Sequence, residues 1–539
     1  MPRILYPTLL ALLLTALATA PLRADDTLAG PLAELAKNGE LRVGAARVRD
    51  SALLQAFYAA RAQQPAWRHA AARAQLLAAV QGAERDGLRP ADYHLAALLT
   101  APPDEAPEAP GMELLRSDAL TRLAAHYFRG KLDPLSVEAE IDLHSPELGA
   151  DAISRLAAGV ASGDIAGTLQ RLAPQDDLYQ GLKRGLAEYR GIAARGGWPE
   201  IPEGPTLRPG ERSPRVALLR RRLLASGDLA ADTGADPEFY DPALEDAVRH
   251  FQARHLLAVD AAVGKRTLAA ANVSVGERID QIRVNLERAR WLLHDLPPTY
   301  VLVDIAGFEV RYVQDGVELL KSRAAVGRPY RKTPMFRAAI RYLEFNPTWT
   351  VPPTILTNDV LPEIRKDRGY LAKRHMRVLT VDKREVDPAT VDWRRYSGKN
   401  LPYLIRQDPG PENALGQVKF MFPNVHSVYL HDTPERRVFL QPERAFSSGC
   451  IRIEHPIDLA ELLLDSAPRW DRDRILAAID SKTTRTVFLA RPVPILLLYW
   501  TVDFDEAGHV GFKKDIYERD RAVLEGLGQE SRFRARPAV

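Results

Sequence analysis

The chain is poor in cysteine, in long apolar runs and in charge of one sign. Its 539 residues include a single cysteine, Cys450. That excludes an intramolecular disulfide and a zinc site built from several cysteines. Lysine and arginine number 73 and aspartate and glutamate 70, a formal net charge of +3, so bulk electrostatics gives nucleic-acid binding no help. Beyond the N-terminus no apolar stretch of about 20 residues occurs, which argues against a multi-span membrane protein. No internal repeat is visible. What is present, 46% hydrophobic and 27% charged residues, is the composition of globular protein. The length implies about three or four domains of roughly 150 residues each.

The N-terminus gives a compartment. Met1-Pro2-Arg3 is a short basic start, and the run from Ile4 to Ala20 is almost wholly apolar or small. Small residues at Ala18, Ala20 and Ala24 mark cleavage sites, and Pro21 favours the second, so 1–24 reads as a secretory signal. No membrane span is expected after its removal. Export sharpens the meaning of Cys450: a lone thiol in an oxidising compartment is most simply explained if it is used. The plain alternative is a buried cysteine acting as a small hydrophobe.

Residues 25–195 read as a mostly helical unit, with helical spacing at Leu53, Leu54, Phe57 and Tyr58 and again at Leu76, Leu77 and Val80. A Pro/Gly-rich linker over 196–214 follows. Residues 206–273 read as a three-helix module: Val216, Leu219 and Leu223 mark one helix, Leu244, Ala247, Val248 and Phe251 a second, Thr267-Leu268 a third. Asp241-Pro242 has the form of a helix start. From Tyr300 the pattern turns to alternation, with a hairpin at 301–312 and further strands expected at 339–345, 427–431, 436–440, 486–490 and 493–501. The β-rich unit spans 298–518. A helical, charged insertion at about 355–417 is a candidate lid. The charged tail, 519–539, is expected to be loosely ordered.

One cluster carries chemistry. His431 ends a strand-like segment, and Cys450 opens another 19 residues later. A thiol needs a base to become nucleophilic, and histidine is the usual one. Gly449 allows a positive φ before the thiol, and backbone N–H groups there can face a developing oxyanion. Arg452 shares a strand face with Cys450, placed to lower the thiol pKa or bind a carboxylate. Taken singly, His431 is an ordinary histidine, Ser447-Ser448-Gly449 a turn and Arg452 a surface residue. Taken together around the sole cysteine, they point to Cys–His acyl transfer.

Two resemblances follow from these motifs. Residues 206–273 resemble a peptidoglycan-binding domain, through Val216-x-x-Leu219-x-x-x-Leu223, Tyr240-Asp241, Ala247-Val248-x-x-Phe251-Gln252 and Asp260-x-x-Val263-Gly264-x-x-Thr267-Leu268. The segment His431, 15 residues, then Ser447-Ser448-Gly449-Cys450-Ile451-Arg452 resembles the signature of the L,D-transpeptidases of bacterial cell walls. Ser448 stands where many members carry a second histidine, which leaves open whether a backbone carbonyl near Ser448 or water orients His431. The likeness to the large periplasmic branch extends to Val326-Gly327-Arg328-Pro329-Tyr330-Arg331, Phe345-Asn346-Pro347-x-Trp349 and Asn413-Ala414-Leu415-Gly416, and to a scaffold-like N-terminal unit.

The resemblance implies a multidomain α+β protein: an α-helical scaffold, a three-helix peptidoglycan-binding domain and a β-rich catalytic domain with an inserted helical lid. It implies a periplasmic enzyme that cross-links peptidoglycan stem peptides 3→3 through an acyl-enzyme on Cys450, with release of D-Ala. His431 is the base, Gly449, Ser448, Ser447, Arg452 and Tyr429 shape the site, and Trp349, Tyr342 and Asn413 are cleft candidates. Partners are donor and acceptor stems, and wall glycan or peptide held by 206–273. No cofactor is required, and no metal: His426, His431 and His455 are too scattered. The alternatives are a cell-wall cysteine peptidase or L,D-carboxypeptidase, and a non-catalytic peptidoglycan-binding protein with a structural Cys450.

Overall fold

The computed structural model describes residues 28–100, 109–137, 141–143, 146–231, 236–294, 296–465 and 470–530. The expected signal, 1–24, lies outside them. Among the described residues no helix is long and apolar enough to cross a membrane.

The N-terminal part is mostly helical. Asp50 caps the helix Ser51–Ala60 by accepting from Leu53 N–H at 3.0 Å, and Leu54, Phe57 and Tyr58 face inward. The central helix Pro110–Arg129 is buried along most of its length, and Glu113 accepts from Tyr58 Oη and from the N–H groups of Ala66 and Trp67. This part is not a separate body. Its apolar core runs without a break into that of the β-rich part, and Ile141–Asp142 adds a parallel strand to Met335–Phe345. Gly181 and Gly185 on the helix Asp177–Ala194 permit this docking, since a Cβ on either would come within 2.9 Å of Phe504 or Val510.

The module has its own core, built on the helices Pro214–Ala225, Pro242–Arg254 and Lys265–Ala271. Asp241 caps the second helix through Leu244 N–H at 2.9 Å. Gln252 fastens the turn before the third, donating to Asp260 Oδ1 and Thr267 Oγ1 and accepting from the N–H groups of Asp260 and Ala261.

In the β-rich part the strands run in the spatial order Val418–Met421, Leu430–His431, Ile451–Ile453, Val317–Gly327, Glu309–Gln314, Tyr300–Asp304, Arg485–Leu498, Met335–Phe345. The last pairs back onto the first, so the sheet closes on itself and hides its edges. Three expectations need correction. Residues 436–440 form a 3-10 helix, not a strand. The strands expected at 486–490 and 493–501 are one strand, Arg485–Leu498, whose register shifts between Phe488 and Val493, where Pro492 cannot donate to the ladder. The tail does not start loose: Asp520–Gly528 is a helix, because Val523 and Leu527 fall four apart on one buried face and Asp520 accepts from Thr501 Oγ1 at 2.7 Å.

The insertion is also more than helical. Short helices (Leu361–Lys366, Tyr370–Lys373) pack on a small antiparallel sheet of Glu385–Val386, Met376–Leu379, Leu404–Gln407 and Trp349–Thr350 around a third core that includes Val360, Ile364, Val378 and Ile405. The buried alternation at Met376 and Val378 and at Ile405 and Gln407 is what makes these segments strands.

Lys513 ties the C-terminal hairpin to the barrel. Its ammonium is 4% exposed and donates to Asp503 Oδ2 at 2.8 Å and to Asp304. Asp503 is held down at about 2; burial works against this, and Lys513 and Arg311 overcome it. Lys513→Met leaves two carboxylates facing each other and should cost about 3–5 kcal/mol. Urea denaturation should show that loss near neutral pH. The deficit should shrink toward acid, where protonation of Asp304, left without its ammonium partner, relieves its repulsion with Asp503.

Candidate active site

Leu430–His431 and Ile451–Ile453 are adjacent parallel strands with Leu430 opposite Ile451 and His431 opposite Arg452. Leu430 and Ile451 point into the core and are fully buried. Alternation therefore puts Tyr429, His431, Cys450 and Arg452 on the other face, with Cys450 beside Tyr429 and diagonal to His431. Aromatic side chains reach across such diagonals. The next strands extend the row: Lys419 lies opposite His431, and Glu344 opposite Lys419.

The loop before the thiol is tightly built. Gly449 has φ +117°, a conformation L side chains rarely adopt. Ser447 Oγ accepts from Gly449 N–H at 3.0 Å and donates to the Cys450 carbonyl at 2.5 Å. Thr333 Oγ1 donates to the Gly449 carbonyl at 2.9 Å. Gly449 N–H is thus already engaged, so the expectation that it faces an oxyanion is corrected. Ser447 is a buried loop pin, whereas Ser448 is exposed and accepts from Arg331 at 2.7 Å. The same guanidinium nitrogen pairs with Asp359 of the insertion at 2.6 Å.

The thiol is part-buried. Burial pushes it above its ordinary value, against hydrogen bonds from the backbone N–H and side chain of Tyr429 and the positive charges of Lys419 and Arg452. Burial also raises the Tyr429 phenol; it donates to the sulfur and accepts from the Trp349 indole. Lys419 Nζ lies 4.4 Å over the Tyr429 ring and 3.4 Å from Glu344. His431 is 5% exposed and is pushed down to about 3, by burial first and then by Arg452 and Lys419. Its Nδ1–H donates to the Asp432 carbonyl at 2.5 Å, which leaves Nε2 as the acceptor. The group that orients the imidazole is therefore the backbone of its own neighbour, not a carbonyl near Ser448. Both shifts favour neutral forms, so the resting pair is thiol and imidazole rather than thiolate and imidazolium. The alkylation rate of Cys450 by iodoacetamide should accordingly climb through the alkaline range. A plateau reached between pH 5 and 7 would contradict the neutral pair.

Arg452 donates to Glu435 at 2.7 Å. Asp432 fastens the neighbouring loop by accepting from Gln417 N–H at 2.9 Å, and Gly416 packs so closely there that a Cβ would lie 2.3 Å from the carboxylate. Asn413 is not a cleft residue. It is 1% exposed, donates to the carbonyls of Pro347 and Asp408 and accepts from Leu415 N–H, so its amide is spent inside its own loop. Tyr342 packs on the exposed ring of Phe488 at 5.2 Å. Sequence reasoning missed Lys419; the alternation of buried Val418 and Phe420 around it was the available signal.

These features define a multidomain α+β protein with a cysteine and a histidine on one face of a closed sheet. Three family descriptions match the chain: "Scaffold domain" over 52–186, "Putative peptidoglycan binding domain" over 212–271 and "L,D-transpeptidase catalytic domain" over 298–487. A curated Haemophilus influenzae protein named "Putative L,D-transpeptidase" is 35% identical over 223 residues, 41% of this chain and 45% of that protein. The match thus spans less than half the length of that relative. Among solved structures, an L,D-transpeptidase from Xylanimonas cellulosilytica is 16% identical over 55% of this chain and 99% of its own, with a TM-score of 0.19. One from Mycobacterium smegmatis is 14% identical over 37% and 58%, also at 0.19. Residues 298–487 thus match an L,D-transpeptidase catalytic domain, preceded in the chain by matches to a scaffold domain and a peptidoglycan-binding domain.

Proposed function

We propose that this protein is a periplasmic enzyme that forms 3→3 cross-links in peptidoglycan through an acyl-enzyme on Cys450. The observation that carries the reading is the shared sheet face of Cys450 and His431, with the Nε2 lone pair of His431 left free by the Asp432 carbonyl. The donor is a tetrapeptide stem. As sulfur attacks the carbonyl of its third residue, the thiol proton passes to His431 Nε2. Cys450 N–H and the Tyr429 hydroxyl, released once sulfur bonds to carbon, serve the oxyanion. The tetrahedral intermediate collapses, His431 gives its proton to the leaving amine, and D-Ala departs. The side-chain amine of a second stem then attacks the thioester, its proton passes through His431 to the sulfur, and a new amide bond is left. Water in place of the amine would give carboxypeptidase products.

The insertion acts as a lid. Arg331 joins Asp359 on it to Ser448 beside the thiol, so lid position is coupled to the loop carrying the nucleophile. A closed lid excludes water and favours amine over hydrolysis. Lys419 and Arg452 supply positive charge for a stem carboxylate, and residues 206–273 hold the enzyme on the wall. Incubation with disaccharide-tetrapeptide, read by mass spectrometry, tests this: dimers lacking one D-Ala support it, and monomer shortened by D-Ala without dimer overturns the transfer reading in favour of carboxypeptidase.

A further inference from the structure

Where the peptidoglycan-binding module meets the C-terminal hairpin, three side chains converge. His250 lies on the helix Pro242–Arg254. Asp505 and His509 lie on the turn between the strands Val502–Phe504 and Val510–Phe512. His250 Nε2 and His509 Nδ1 are each 3.0 Å from Asp505 Oδ2, and the three donor atoms all lie within 4.8 Å of one another. The two rings meet edge to face with centroids 5.0 Å apart. All three residues are part-buried, and none of them has a part in the acyl transfer.

The surroundings of the cluster are built as well. His250 directs its other nitrogen, Nδ1, at Asp228 Oδ1, 2.8 Å away. The Asp228 side chain is fully buried and is gripped by both sides of the Arg254 guanidinium and by Ser226 Oγ. A carboxylate behind an imidazole fixes the tautomer and turns the opposite lone pair outward, the arrangement that supports metal-binding histidines. Asp505 is fixed likewise: its Oδ1 accepts from His509 N–H at 2.8 Å, leaving Oδ2 for the cluster.

We propose that His250, Asp505 and His509 bind a divalent transition-metal ion, zinc foremost, and so tie the peptidoglycan-binding module to the C-terminal hairpin. Two imidazole nitrogens and one carboxylate oxygen suit zinc, with water as the fourth ligand. Bonds of 2.0–2.2 Å in a tetrahedral shell place ligand atoms about 3.3–3.6 Å apart, so the two 3.0 Å separations open by only a few tenths of an ångström.

The test uses tag-free full-length protein carrying Cys450→Ala, so that the thiol cannot bind metal. Zinc is titrated by calorimetry near neutral pH, and cobalt(II) is followed by its absorption bands. The expected result is one ion per chain with tetrahedral cobalt bands. Asp228→Asn should weaken binding about 10- to 100-fold, and Asp505→Asn and His509→Ala at least as much. His509 is part-exposed, so its alanine variant should keep the wild-type circular dichroism. Absence of binding, or binding that survives both Asp505→Asn and His509→Ala, overturns the site. Neither outcome bears on acyl transfer, which uses other residues.

Discussion

Cys450→Ala should yield a folded protein that forms neither acyl-enzyme nor cross-linked product, a loss on the order of 10⁴-fold or more. No other cysteine exists to substitute. Cys450→Ser should fare little better, because a serine hydroxyl is a far weaker acid than a thiol and His431, pushed down to about 3, is a weak base. The fold should survive both changes. The core face of these strands is carried by Leu430 and Ile451, and the loop is held by Ser447 and Thr333 rather than by sulfur. A thermal midpoint within a few degrees of wild type, alongside absent product, is the expected pair of readings. Full turnover by either variant would remove the nucleophile from the account.

His431→Ala should lower turnover by about 10²–10⁴-fold. Its cause differs from that of the first loss: sulfur is still present, but the thiol proton has no acceptor as attack begins. Burial alone holds that proton more firmly than in free cysteine. The variant should therefore retain alkylation by iodoacetamide at alkaline pH, where hydroxide removes the proton, while failing to cross-link near neutrality. Loss of the hydrogen bond to the Asp432 carbonyl adds a stability cost of about 1 kcal/mol, too small to account for the rate. Alkylation and cross-linking lost in equal measure would mean that His431 shapes the loop rather than moving a proton.

The nearness of Cys450 to His431 was legible because thiol and imidazole are chemically scarce types, and this chain has one cysteine with a strand-like histidine 19 residues before it. The module's helices were legible from their apolar spacing and from Asp241-Pro242. Other features depend on partners far away in sequence. Lys419 acquires meaning only when three strands come into register, and Asn413 looks like a cleft residue until its amide is seen to be consumed by Pro347, Asp408 and Leu415. The docking of the helical unit on the C-terminal hairpin rests on small residues, Gly181 and Gly185, whose role needs Phe504 and Val510 against them. His250 and Asp505 stand 255 positions apart, beyond any local pattern. The helix after residue 519 was hidden because its charge outweighs two buried apolar residues.

The central claim is that Cys450 sulfur becomes acylated with His431 as its base. Intact-mass measurement after incubation with a carbapenem reads this directly, since such compounds should acylate the thiol by the family resemblance. The account gives a single adduct of the drug's mass on the wild-type protein, none on Cys450→Ala and slow formation on His431→Ala. An adduct that persists on Cys450→Ala, or a wild-type protein left unmodified, would contradict it.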